Sequence, residues 1–212
     1  MVTADVEGTP LPSYRRLVDG LVLPVDIGGH AALDFCNTLA GHGEESPHDY
    51  LAGFDELALW ARDAGLLTPH ACAHARSLNA ASPRTGARVA AEARALRSAA
   101  YDVFMRAPAA DFATVQRFVQ AAEGAVELVP EQGDALAAWR LPPAIGVRLP
   151  LHAAARAVGE LLVSTRAREV RRCPGRGCGW LFLDRSGRRR WCSMASCGNR
   201  EKARRFAQRA RG

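Results

Sequence analysis

The strongest constraint on what this chain can fold into lies near its C-terminal end. Four of its six cysteines form two matched pairs there, Cys173 with Cys178 and Cys192 with Cys197, with four residues inside each pair and thirteen between the pairs. Two short loops of this kind can each bring two sulfurs to about 2.3 Å from one metal ion, in the tetrahedral four-thiolate arrangement that zinc prefers. Pro174, Gly175 and Gly177 in "CPGRGC" let the backbone turn sharply between the first two ligands and leave Arg176 at the tip. "WLFLD" and "RRWC", joined through "RSG", are expected to form a hairpin that returns Cys192 to the metal. Two disulfides would need an oxidising compartment, for which the sequence carries no signal, and inert buried thiols have no reason to pair. Four protein ligands leave no open position for a water, so the one zinc expected here is structural rather than catalytic. The segment has little apolar core beyond Trp180, Leu181, Phe182 and Trp191, which couples metal binding to folding.

Charge is distributed as unevenly as the cysteines. Residues 151–212 hold 16 Lys or Arg against 4 acids, whereas residues 1–150 hold 12 against 18, so a net charge of +6 conceals a strongly basic end on a mildly acidic body. A helix from about Ser196 would place Asn199, Ala203, Phe206 and Ala210 on one packing face and Arg200, Arg204 and Arg211 along a charged stripe. Part of this charge offsets the formal −2 of a zinc tetrathiolate, and the surplus suits phosphate contacts. The expected nucleic-acid contacts are Arg188, Arg189, Arg190, Arg200, Lys202, Arg204, Arg205 and Arg209. Duplex DNA is favoured because a terminal helix can enter a major groove. RNA, or an acidic protein surface, stays open as the alternative partner. For Asn199 a structural role is favoured, and Arg200 suits thiolate charge balance and phosphate contact equally.

The rest of the chain is predominantly helical. "LVLPVD" (21–26) is predicted as a short strand and "GGHAALDFCNTLA" as a glycine turn entering a helix. Phe54, Leu57, Ala58 and Ala61 keep helical spacing, Thr68 with Pro69 marks a helix start, and Val89, Ala93, Leu96, Ala100 and Phe104 form a long apolar stripe. "DFATVQRFVQAAEG" gives a further helix, "AVELVPEQGDALAAWRLP" a hairpin turning at "PEQGD", and residues 150–164 another helix. The expected fold is α+β: a leader (1–20), a mainly helical N-terminal domain with a small sheet or hairpin (21–166), and a small four-cysteine zinc finger of β-hairpin and helix (167–212). The first 25 residues have no apolar signal core, and no long apolar run suits a membrane span, so a cytoplasmic location is expected.

"CGNR" (Cys197, Gly198, Asn199, Arg200), preceded by "RRWCSMAS" and "CPGRGCGWLFLD", resembles the CGNR zinc-finger family of bacterial proteins. "GGHAALDFCNT" and "FDELALWARDAGLL" resemble the ABATE domain that usually precedes that finger, described as a stress-induced transcription regulator. The resemblance implies that Cys173, Cys178, Cys192 and Cys197 bind zinc and that the protein regulates transcription. "RSGRRR" is a short version of the family's connecting loop.

In the N-terminal domain, His30 and Asp34 stand one helical turn apart and, with Asn37 and Thr38, could share a polar pocket for a small effector. A hydrogen-bonded core cluster is the competing reading, and the favoured one. "HACAH" (His70, Cys72, His74) is no metal site on a helix, because Cys72 points away from the two histidines. "HGEESPHD" is expected to be a solvated loop. No nucleophile or cofactor fingerprint occurs, so no catalytic residue is assigned. A single short finger binds specific DNA weakly, and a homodimer formed through the N-terminal domain is expected to supply a second half-site.

Overall fold

The computed structural model describes residues 11–42, 44–108, 110–131 and 135–210. Arg211 and most of the "PEQGD" turn lie outside the described residues.

The first described elements are two antiparallel strands, β1 (Arg15–Val18) and β2 (Leu21–Pro24), joined by a tight turn at Asp19 and Gly20, both with positive φ. The second strand is the predicted one. The first lies in the stretch expected to be a leader, and it pairs in register with β2. The short helix α1 (Ala31–Cys36) follows, then β3 (Leu39–Ala40) and β4 (His48–Asp49), which close the "HGEESPHD" loop into a small hairpin.

Four helices then build the body: α2 (Phe54–Asp63), α3 (Pro69–Ala81), α4 (Pro83–Phe104) and α5 (Phe112–Glu123). Their ends follow local chemistry. Thr68 Oγ1 accepts from the Ala71 amide at 3.1 Å, and Asp111 accepts from the Thr114 amide at 3.0 Å, so each fills an otherwise orphaned donor of the first turn. The stripe of α4 is buried as its spacing requires, with Val89, Ala93, Leu96 and Ala100 all inaccessible to solvent. After the hairpin β5 (Glu127–Pro130) and β6 (Ala137–Arg140), helix α6 (Leu149–Val163) runs through the centre of the bundle and packs against α1, α2, α4 and α5. Its near-continuous apolar sequence reflects burial on several sides. Gly159 marks its closest crossing: a Cβ there would come within 2.7 Å of Val119 Cγ1 on α5.

The C-terminal unit consists of β7 (Val170–Arg172), β8 (Leu181–Leu183) and helix α7 (Asn199–Arg209), which follows a wide turn over Met194–Gly198. The molecule is therefore α+β, helical in its body with small antiparallel hairpins around it. Among the described residues no helix is long and apolar enough to cross a membrane.

Candidate metal centre and basic surface

The four cysteines converge as their spacing requires. Their sulfurs all lie within 4.8 Å of one another, with Cys178 to Cys192 and Cys192 to Cys197 at 3.6 Å. A zinc ion 2.3 Å from each of four tetrahedral sulfurs would separate them by about 3.8 Å, close to the two shortest observed separations. All four are buried. The first knuckle is as tight as its glycines imply: a Cβ on Gly175 would sit 3.0 Å from Cys197 Sγ and 3.2 Å from its Cβ. Arg200 Nη2 donates to Cys197 Sγ at 3.0 Å, which settles one use of that residue as thiolate charge balance.

The hairpin at the metal differs from the expected one. β8 pairs with β7, in register Val170 with Leu183 and Arg172 with Leu181, and the "CPGRGC" knuckle is the turn between them. The "RRWC" segment forms no strand, because Asp184 organises the loop before it: its Oδ1 accepts from the amides of Arg188 and Arg189, both at 3.1 Å. This side-chain competition for backbone donors bends the chain away from a ladder.

The outer edge of β8 is covered by the N-terminal domain. Cys173 N bonds Trp180 O at 2.8 Å, so the alternation of an antiparallel ladder turns the main-chain groups of Leu181 outward. There Asn37 completes them: Leu181 N donates to Asn37 Oδ1 at 2.7 Å and Asn37 Nδ2 donates to Leu181 O at 2.9 Å. Leu183 N donates to Gly28 O, Trp180 Nε1 to Leu39 O, and Tyr101 Oη to Gly179 O. Tyr50, Trp180 and Phe182 share one buried cluster with the four cysteines, and Tyr14, Val22, Ile27, Ala40 and Trp191 pack against it. The zinc unit thus borrows its apolar core from the body that precedes it.

The four residues considered for an effector pocket are committed to this architecture. His30 caps α1, its Nδ1 accepting from the Ala32 amide at 3.2 Å. Asp34 accepts from the amides of Ile27 and Gly28 at 2.9 and 2.7 Å and so fixes the "DIGGH" turn; burial pushes its carboxyl up to about 7. Thr38 Oγ1 donates to Phe35 O and accepts from Arg97 Nη1. None of the four lines the groove of about 800 Å³ bounded by α5, α6 and the end of β6. Asp49 of the "HGEESPHD" loop is likewise not simply solvated, since it takes a bidentate pair from the buried Arg97 at 2.6 and 2.7 Å. Arg97 stands four residues from Ala93 on the apolar stripe of α4, a lone cation on a buried face that the sequence already displayed.

The basic residues divide by what they touch. Arg188, Arg190, Lys202 and Arg209 are exposed and have no carboxylate partner among the described residues. Arg204 and Arg205 are exposed but share Glu201. Arg189 faces inward: its guanidinium donates to Ile27 O at 2.7 Å and Cys192 O at 2.5 Å, and lies 4.5 Å from the Phe182 ring centre. That arginine fastens the finger to the body rather than facing a ligand. The expected packing face of α7 has no partner either. Asn199, Ala203 and Ala210 are exposed and Phe206 is 77% exposed, because among the described residues α7 packs mainly on the turn that precedes it.

A buried tetrathiolate knuckle built on a two-stranded hairpin, with a basic helix leaving it, defines a zinc finger of the structural class, and the chain holds one structural zinc ion. Comparison with family models finds the CGNR zinc finger over residues 169–210 and the ABATE domain, described as a "putative stress-induced transcription regulator", over residues 29–165. The chain belongs to the ABATE family and carries a CGNR zinc finger at its C-terminal end. Comparison with curated proteins finds no match.

Proposed function

We propose that the protein is a zinc-dependent, DNA-binding transcriptional regulator without catalytic activity, acting in a bacterial cytoplasm. In this reading the finger contacts duplex DNA, and the N-terminal domain senses a signal or forms a homodimer. The observation that carries the reading is α7: eleven residues with none buried, presenting Lys202, Arg204, Arg205 and Arg209 to solvent. A helix of this length is marginal alone in water and is well suited to a groove lined by phosphates. The groove of about 800 Å³ lined by Leu66, Val119, Trp139, Leu141, Ala153 and Ala157 is the effector site in this reading, since its size suits a small molecule.

In vitro selection from a random duplex library tests the proposal, with zinc-loaded protein run beside a Cys173→Ser, Cys178→Ser variant. An enriched motif that disappears in the variant supports a zinc-dependent sequence reader. Salt-sensitive binding with no motif would leave the tail a general phosphate clamp and move specificity to RNA or a protein partner.

A further inference from the structure

Between the first hairpin and the finger lies a small cavity of about 110 Å³, lined by Tyr14, Arg15, Gly177, Trp180, Ser196 and Arg200 above a floor of three zinc-binding cysteines. Tyr14, Arg15, Trp180, Ser196 and Arg200 offer it donors, while the Glu44 carboxylate stands against Gly177. Ser196 is only 8% exposed, and its Oγ has no hydrogen-bond partner among the described residues. A buried hydroxyl left unpaired in a protein interior calls for a partner. Arg15 is held by its Nε, which donates to Tyr50 Oη at 2.8 Å, and its guanidinium stands 5.6 and 5.5 Å from the ring centres of Tyr14 and Tyr50. Its two terminal nitrogens have no carboxylate partner among the described residues. Arg200 uses one terminal nitrogen on Cys197 Sγ.

We infer that this cavity binds one phosphate group of the nucleic-acid backbone, with Arg15 and Arg200 as the charged donors and Ser196 Oγ as the neutral one. The inference rests on the DNA-binding reading and deepens it, because it brings a residue of the N-terminal hairpin into the interface. Two guanidiniums with a hydroxyl match a tetrahedral oxyanion. The floor of thiolates, which keeps a formal −2 around zinc, selects within that chemistry: a backbone diester carries one negative charge and is tolerated, whereas a free phosphate dianion is repelled. The finger and the body must stay docked for the cavity to exist, so the seam described above becomes part of the binding surface.

The test uses full-length, zinc-loaded protein and a fluorescent duplex titrated across a series of salt concentrations. Ser196→Ala removes no charge, so general electrostatic attraction forecasts no effect, whereas the cavity forecasts about tenfold weaker duplex binding at fixed salt with an unchanged salt slope. Arg15→Gln is expected to weaken binding and to reduce the steepness of log K against log salt by about 0.9. Zinc content and melting temperature, read for both variants, separate these effects from misfolding, and Arg15→Lys is expected to restore part of the affinity. Parent-like duplex binding by both Ser196→Ala and Arg15→Gln overturns the inference and leaves the DNA-binding reading standing. Inorganic phosphate that binds in a Ser196-dependent way, with duplex binding unchanged by the substitution, also overturns it, assigning the cavity to free phosphate. A parent protein that binds no duplex at any salt removes the DNA-binding reading and this inference together.

Discussion

Asn37→Ala is the substitution that should cost most for the fewest atoms. Asn37 is fully buried and 144 residues from Leu181, whose amide and carbonyl it satisfies at 2.7 and 2.9 Å. Alanine leaves both main-chain groups in a dry seam without partners. Each buried orphan costs about 1–3 kcal/mol, so the pair is worth about 2–4 kcal/mol once some water enters the space. For a chain of this size 1 kcal/mol moves the melting temperature by about 2–4 °C, so a drop of about 5–15 °C is expected in a calorimetric scan. Because the edge of β8 is what the asparagine covers, the same variant should release zinc faster to a chelator, although no ligand has changed. A variant that melts within about 1 °C of the parent and holds zinc equally well would refute the idea that this seam ties the finger to the body.

Three further outcomes follow from particular contacts. Arg189→Ala is expected to lower stability by about 1–3 kcal/mol in denaturant melts while leaving the salt slope of duplex binding unchanged, whereas Arg188→Ala or Lys202→Ala should each flatten that slope by about 0.9 with little effect on stability. Gly175→Ala should weaken zinc binding in a competition titration, because its Cβ would press on Cys197 Sγ, and unchanged affinity would contradict the packing. Asp34 gives a pH signature. Its carboxyl is raised by burial from 3.8 to about 7, so the native state holds its proton more tightly, and its contribution to stability is present below about pH 4 and lost as pH rises to about 7. Asp34→Asn should therefore show a flatter stability profile than the parent between pH 4 and 7, and parallel profiles would argue against the assignment.

What the sequence disclosed was largely local chemistry. The Thr68 and Pro69 helix start, the α4 stripe and the cysteine spacing each depend on residues within a few turns of one another, and each appears where its pattern put it. The misreadings share a different cause. β8 takes β7 as partner rather than "RRWC" because Asp184 claims the intervening amides, a choice between two nearby segments that spacing alone does not make. Arg189 sits in a run of three arginines, and only the fold shows that this one turns inward to Ile27 O while its neighbours face out. Asn37, Thr38 and Asp34 read first as a hydrogen-bonded core group, but their partners are a tertiary matter: Leu181 for Asn37, Phe35 O and Arg97 for Thr38, and the Ile27 and Gly28 amides for Asp34. The apolar positions of α7 suggested a packing face, yet nothing in the described chain lies against it.

The most direct test of the account is the salt dependence of duplex binding by the intact protein, measured with zinc bound and after zinc removal. Arg185, Arg188, Arg190, Lys202 and Arg209 are exposed and without carboxylate partners among the described residues, so the zinc-loaded protein should give a slope of log K against log salt of about −4 or steeper. Removing the metal should weaken binding by tenfold or more as the hairpin and α7 lose their anchor. A slope near zero, or equal binding with and without zinc, would contradict the claim that the folded finger is the DNA-contacting surface.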